Sequence, residues 1–235
     1  MDLQIETEIE NTQEQTFHFY SSFRDLYQLN FDYPDQLKER SFRKYLFDQI
    51  GPTFELVERL APPLTEAILK PQRLLYDDPS FYVAIDLFTN TYYVCYKELL
   101  MIDIDYYKDT TLEAEIVSRF EDHCRDFPED RFRLFRTRNG LHAFLVSRKM
   151  NYKDQTSIDL MLKFKSDFYY VVYSYIRGWS VRLNKKQKDT QDTLYTDFKD
   201  IGSGSIDADL IKLINLHLNL VQVFVNVGQS MMYGT

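Results

Sequence analysis

The segment Leu99-Leu100-Met101-Ile102-Asp103-Ile104-Asp105 ends an apolar run in two acids spaced two residues apart. On a β-strand such residues share a face, which places Asp103 and Asp105 roughly 7 Å apart along the chain. Two carboxylates that close repel one another unless a cation lies between them. Oxygen donors at this spacing suit Mg2+ or Mn2+ together with a bound phosphate. The competing reading is a pair of strand-end acids that are solvated or paired with arginine. Downstream, Asn139-Gly140 separates two β-rich runs, and in a two-residue hairpin Thr137 then faces His142, one step from the turn. A histidine there could bind or polarise a phosphate, or simply be a satisfied hairpin side chain. A third piece is the run Gly178 to Lys186, reading GWSVRLNKK. Arg182 can grip a phosphate with two N–H groups, and Lys185 and Lys186 add point charges beyond it. Arg136 and Arg138 could follow a nucleic-acid backbone.

These residues meet only if the elements carrying them do. The pattern predicts a strand over 97–105 and a helix over 111–127. Strands over 131–138 and 141–148 follow, then one amphipathic helix over 157–176 ended by Gly178, and a strand over 179–183. The order is βαββαβ, the ferredoxin-like or RRM-like unit, in which the first and third strands are central and the fourth lies beside the first. That placement would bring Arg182 to the Asp103 and Asp105 carboxylates. A further strand over 81–88, with a turn at Thr89-Asn90-Thr91, extends this α+β core at its N-terminal side. The expected division is a polar mobile lead (1–16), a helical N-terminal layer (17–78), the α/β core (79–190), and a loop with a C-terminal helix (191–235). Within the layer, Pro62-Pro63 is expected to kink or break a helix. Residues 189–204 read as a polar loop, and 206–225 as an amphipathic helix.

Composition sets the outer bounds. The 235 residues are 44% hydrophobic and 27% charged, as in ordinary folded domains. A net charge of −8 argues against a general nucleic-acid coat. Yet residues 131–149 and 177–188 contain several Lys and Arg and no acid. Two such stretches in an acidic chain suggest a local anion site, or else two solvated faces balancing acidic neighbours. No apolar run is long enough to span a bilayer, and the acidic first residues are unlike a secretory signal. Cys95 and Cys124 form no metal-ligand pattern and read as reduced, buried thiols, so an intracellular, soluble protein is expected, in cytoplasm or nucleus, with a viral or plasmid origin open. His18, His123 and His217 read as structural.

Several chemistries are excluded by missing residues. Tyr107 stands where the DxDxT nucleophile motif of haloacid-dehalogenase phosphatases needs threonine. There is no phosphate-binding GxxxxGK[ST] loop, no GxSxG elbow and no zinc-ligand spacing. A DxD sugar-nucleotide transferase has no second sign in its favour.

LLMIDID resembles the hydrophobic-DxD motif of the archaeo-eukaryotic primase (primase-polymerase) superfamily. RNGLHAF (138–144) resembles its second motif, a histidine on a strand, and the βαββαβ order resembles its RRM-like catalytic half. The likeness covers about residues 80–190. It implies Asp103 and Asp105 as catalytic metal ligands for Mg2+ or Mn2+, and His142 as a contact to the phosphates of a nucleoside triphosphate. It also implies a single-stranded DNA or RNA template. One departure stands out: the family's third motif supplies another acid, whereas the corresponding strand here reads SVRLNKK, leaving Asp86 or Asp189 as substitutes. Two function classes follow. One is a metal-dependent primase-like nucleotidyltransferase. The other is a catalytically inactive relative that binds nucleotide or nucleic acid, or assembles with a protein through the N-terminal helices.

Overall fold

The computed structural model describes residues 53–69, 71–87, 89–106, 109–137, 139–184 and 196–232. The lead over 1–16, the helices expected over 17–50, and Arg138, Lys185, Lys186 and Asp189 lie outside them. The chain divides into two compact units, 1–71 and 72–235. Of the first, the described element is helix α1 (Phe54–Leu69), opened by the Thr53 hydroxyl accepting the Leu56 N–H at 3.3 Å. It continues through Pro62-Pro63 without the break that two prolines suggest, and the Thr65 hydroxyl donates to the Ala61 carbonyl within that stretch. The helical layer stops short of its expected end, because Gln72–Asp77 is already a strand.

The second unit is α+β, with two four-stranded antiparallel sheets. Sheet A orders β1 (Gln72–Asp77), β2 (Phe81–Asp86), β3 (Thr91–Tyr96) and β7 (Trp179–Arg182). Sheet B orders β4 (Met101–Asp105), β6 (Gly140–Leu145), β5 (Phe132–Arg136) and β8 (Thr196–Ile201). The helices are α2 (Thr110–Asp126), α3 (Gln155–Lys163), α4 (Phe168–Arg177) and α5 (Ala208–Met232). None of the described helices is long and apolar enough to cross a membrane.

Strand alternation divides sheet B into two faces. Ile102, Ile104, Leu134, Leu141 and Ala143 share one, and all are buried. On that side Phe120 of α2 meets Phe132 edge-on at 4.9 Å and stacks on Phe164 at 3.9 Å. Met101, Asp103 and Asp105 share the other face with Phe144, His142 and Phe135. There His217 of α5 lies 5.8 Å from both the Phe144 and Tyr96 rings. Burial, reinforced by the charge of His142, pushes the His217 imidazole down to about 3, so it is neutral near pH 7.

The topology departs from the ferredoxin-like order at one decisive point. The first and third strands of that order (β4 and β6) pair, and the second (β5) pairs with the third, as it requires. The fourth, β7, pairs with β3 in the other sheet instead. The free edge of β4 is occupied by the α3–α4 turn: the Asp167 N–H donates to the Asp103 carbonyl at 2.8 Å, and Ser166 bonds the same residue. That turn is also why one long helix is two. Lys165 adopts φ 57° and Asp167 caps α4 by accepting the Tyr170 N–H at 3.0 Å.

Three further expectations change. The run 97–105 is not one strand: Lys97 to Leu100 carry the chain out of sheet A, and only Met101–Asp105 belongs to sheet B. The hairpin turn lies one residue earlier than Asn139-Gly140. The Thr137 N–H donates to the Gly140 carbonyl, and Phe135, not Thr137, faces His142. Gly140 is needed for close approach rather than for positive φ, since an added Cβ would lie 1.8 Å from the Ile104 carbonyl oxygen. The supposed loop 189–204 contains β8, whose Asp197 and Asp200 both pair with Arg133 of β5. Gly178 does end α4, at φ 90°.

Candidate functional site

Asp103 is the centre of the site. Its position follows from β4 being apolar on one face and acidic on the other, so burying Ile102 and Ile104 turns both carboxylates to the opposite side. Register then places Asp103 directly across from His142, and Asp105 across from Gly140. His142 Nε2 lies 3.3 Å from Asp103 Oδ1, within reach of an N–H···O bond when that nitrogen carries the proton. The Asp103 side chain remains 28% exposed, so the pair is reachable from solvent. Its backbone is held from the other edge. The Asp103 N–H donates to Ser166 Oγ at 3.2 Å, and Ser166 Oγ donates to the Asp103 carbonyl at 3.1 Å. Ser166 thereby does the work of a neighbouring strand.

Beyond the DxD, Tyr106 and Arg136 converge on Glu113 of α2. Arg136 makes a two-pronged bond to Glu113 at 2.7 and 3.0 Å, and Tyr106 donates its hydroxyl to the same carboxylate. The Arg136 fork holds Glu113 below the usual carboxylate range against partial burial. Burial, with Glu113 beside it, pushes Tyr106 up to about 12. The Arg136 guanidinium also lies 3.9 Å over the Phe198 ring. Arg136 is therefore engaged within the fold, not held out as a backbone contact.

The same holds for the other described basic residues of the 131–149 stretch. Arg131 pairs with Asp200, Arg133 with Asp197 and Asp200, Arg148 with Asp130, and Lys149 with Glu98 and Asp209. These basic side chains balance acids from other elements, which is the second of the two readings the composition left open. Asp130 is fully buried, receives a two-pronged bond from Arg148 at 2.7 and 3.1 Å, and bonds His123 Nε2 at 2.9 Å. Burial alone would raise its pKa. The bonds from Arg148 and His123 outweigh it and leave the carboxyl below its ordinary value.

Asp103, Asp105 and His142 are thus brought together on one face, and Arg182 is not placed beside them by pairing. It lies opposite Tyr93 in sheet A, with Asp86 the charge that acts on it. Among protein-family models, curated proteins and solved structures, none matches this chain.

The two carboxylates are hard oxygen donors on one accessible face, which suits a hard divalent cation completed by water and phosphate oxygens. No cluster of three or more His, Cys, Asp and Glu side chains arranged for a metal occurs among the described residues. The donor set is therefore two acids with a histidine beside them. Ser166, Tyr170 and Glu113 went unnoticed in the sequence. Ser166 carried a usable signal, because Ser-Asp inside a supposed helix is a capping pattern.

Proposed function

We propose that the Asp103–Asp105–His142 face is a metal-dependent nucleotidyl-transfer site of primase-polymerase type, taking a nucleoside triphosphate and a single-stranded DNA or RNA template. The observation that carries the reading is the register of β4 on β6. It sets His142 directly across from the first acid of the DxD and leaves both acids on the solvent-accessible face. The β4-β6-β5 order agrees with the first, third and second strands of an RRM-like sheet, which supports the reading. Asp103 and Asp105 hold Mg2+ or Mn2+, which when bound neutralises phosphate charge and orients the triphosphate. With a cation held by the two acids, His142, 3.3 Å from Asp103, would be placed to offer an imidazole N–H to a phosphate oxygen. Ser166 fixes the height of Asp103 above the sheet.

The test is incorporation of labelled nucleotide on a primed and on an unprimed template with Mn2+. Asp103→Asn and Asp105→Asn are expected to abolish incorporation with the unfolding temperature little changed. Activity retained in the folded double variant would contradict the reading.

A second reading has its own support. The basic residues Arg131, Arg133, Arg136, Arg148 and Lys149 are all paired with acids, and β7 carries Arg182 to the other sheet. This favours a non-catalytic module that binds nucleotide or a protein partner. Binding of nucleotide that survives EDTA and the double variant would favour it over the enzyme.

A further inference from the structure

Two arginines behave differently from those of the 131–149 stretch. Arg177, at the end of α4, and Arg182, in β7, have no carboxylate within ion-pair distance among the described residues. Both stand against Tyr93. The Arg177 guanidinium lies 4.6 Å over the Tyr93 ring and donates to Ser180 Oγ at 2.9 Å. Arg182 is directly opposite Tyr93 in the β3–β7 ladder, and Ser180 shares its face of β7. Two guanidinium groups therefore flank one tyrosine with no acid bonded to either. Asp86 on β2 acts on Arg182 through its charge alone.

The hydrogen-bond account on this face is open as well. Tyr93 is only 3% exposed, and its hydroxyl and Arg177 Nε are buried with no partner outside this pair among the described residues, which leaves the Tyr93 O–H without an acceptor. The hydroxyl of Tyr170, two turns earlier on the same side of α4, is buried against Ser174, and it lies in the electrostatic reach of both Arg177 and Asp103. Buried donors left unmatched are uncommon and point to a missing acceptor. Here the unmatched groups are N–H and O–H donors, and the local charge is positive. The complement is an anion with several acceptor oxygens. Arg182 is exposed, which gives the face an opening to solvent.

We propose that Arg177 and Arg182, with the Tyr93 hydroxyl and Ser180, form a binding site for a phosphate group that needs no metal. The phosphate is either free or the terminal phosphate of a nucleoside triphosphate whose inner phosphates lie toward Asp103. Only the nucleotide alternative rests on the function proposed above.

The test is titration of the full-length protein with inorganic phosphate in EDTA at low ionic strength, followed by calorimetry. Wild type and Asp103→Asn/Asp105→Asn are expected to bind alike. Arg177→Gln should weaken binding about tenfold or more, the loss expected of a charge-assisted hydrogen bond. Arg182→Gln, at an exposed position, and Tyr93→Phe, which removes one hydroxyl, should each weaken it by a smaller factor. These two keep the test informative if Arg177→Gln fails to fold. No binding by wild type at millimolar phosphate overturns the site, as does wild-type affinity in Arg182→Gln and Tyr93→Phe together. A parallel titration with ATP and Mg2+ separates the sources. A gain over phosphate that disappears in the Asp103→Asn/Asp105→Asn variant assigns the phosphate to a nucleotide, and equal affinity assigns it to free phosphate. Failure of metal binding at the DxD leaves the EDTA result untouched, so the two readings fail separately.

Discussion

Asp103 gains its meaning from what lies across the strand and what lies behind it. His142 faces its carboxylate and Ser166 holds its backbone. Sequence reasoning reached the first because both residues sit on strands of clear pattern. It missed the second because a serine–aspartate pair inside an amphipathic run looks like helix until its tertiary partner is known. Ser166→Ala leaves the Asp103 N–H without its acceptor and is expected to cost about 1–3 kcal/mol, with Ser166→Thr recovering part of it. Denaturant unfolding measures both. Two buried polar groups set the acid behaviour. His217 is neutral in the fold, and its pKa of about 3 lies below the usual 6.5. Between those values the unfolded chain binds a proton that the folded chain does not. Stability should therefore fall as pH drops below 6.5, by up to about 1.4 kcal/mol per pH unit from this one group. His217→Leu should flatten that slope, and an unchanged pH profile in the variant contradicts the assignment. Asp130 acts in a lower window. Its depressed pKa gives stability present above the ordinary aspartate pKa and lost as pH falls through the folded value. Asp130→Asn weakens the bonds to the half-exposed Arg148 and the buried His123 and is expected to cost roughly 1–3 kcal/mol at neutral pH.

The elements show where local pattern stops being enough. α2, β5, β6 and the C-terminal helix were legible because their apolar residues repeat at the helical or strand period. β8 was not, because Thr196-Asp197-Phe198-Lys199-Asp200-Ile201 is too polar to read as strand, and it is held by pairing with β5 and by charges across the ladder. The long run from Tyr92 to Asp105 has strand propensity throughout, so nothing in it announces that Lys97 to Leu100 pass from one sheet to the other. The destination of β7 is likewise a tertiary choice: the α3–α4 turn occupies that edge of β4. Gly140 shows the converse error, in which a true glycine requirement was given the wrong cause. Gly140→Ala is expected to be severely destabilising, because a Cβ 1.8 Å from the Ile104 carbonyl cannot be relieved without moving β4 from β6. A Gly140→Ala protein unfolding within a few degrees of wild type would show that the two strands are less closely crossed than this.

At the scale of the whole chain, the described basic side chains of 131–149 are matched by acids. Arg131, Arg133, Arg136, Arg148 and Lys149 each meet a carboxylate, so the basic stretch is not a free track for a polyanion. Affinity for a single-stranded oligonucleotide in EDTA is expected to be weak and to change little with salt, since few phosphates displace counterions. A steep salt dependence would show that the pairs open on binding. What distinguishes the molecule is instead local: two acids and a histidine on sheet B, and two arginines at Tyr93 of sheet A, Arg177 from α4 and Arg182 from β7. The most direct test of the first is a Mn2+ titration of wild type and Asp103→Asn/Asp105→Asn, with and without a nucleoside triphosphate. The account predicts Mn2+ binding that tightens with nucleotide in wild type and disappears in the double variant. Binding unchanged by the two substitutions, or absent from wild type at millimolar Mn2+ with nucleotide present, would contradict it.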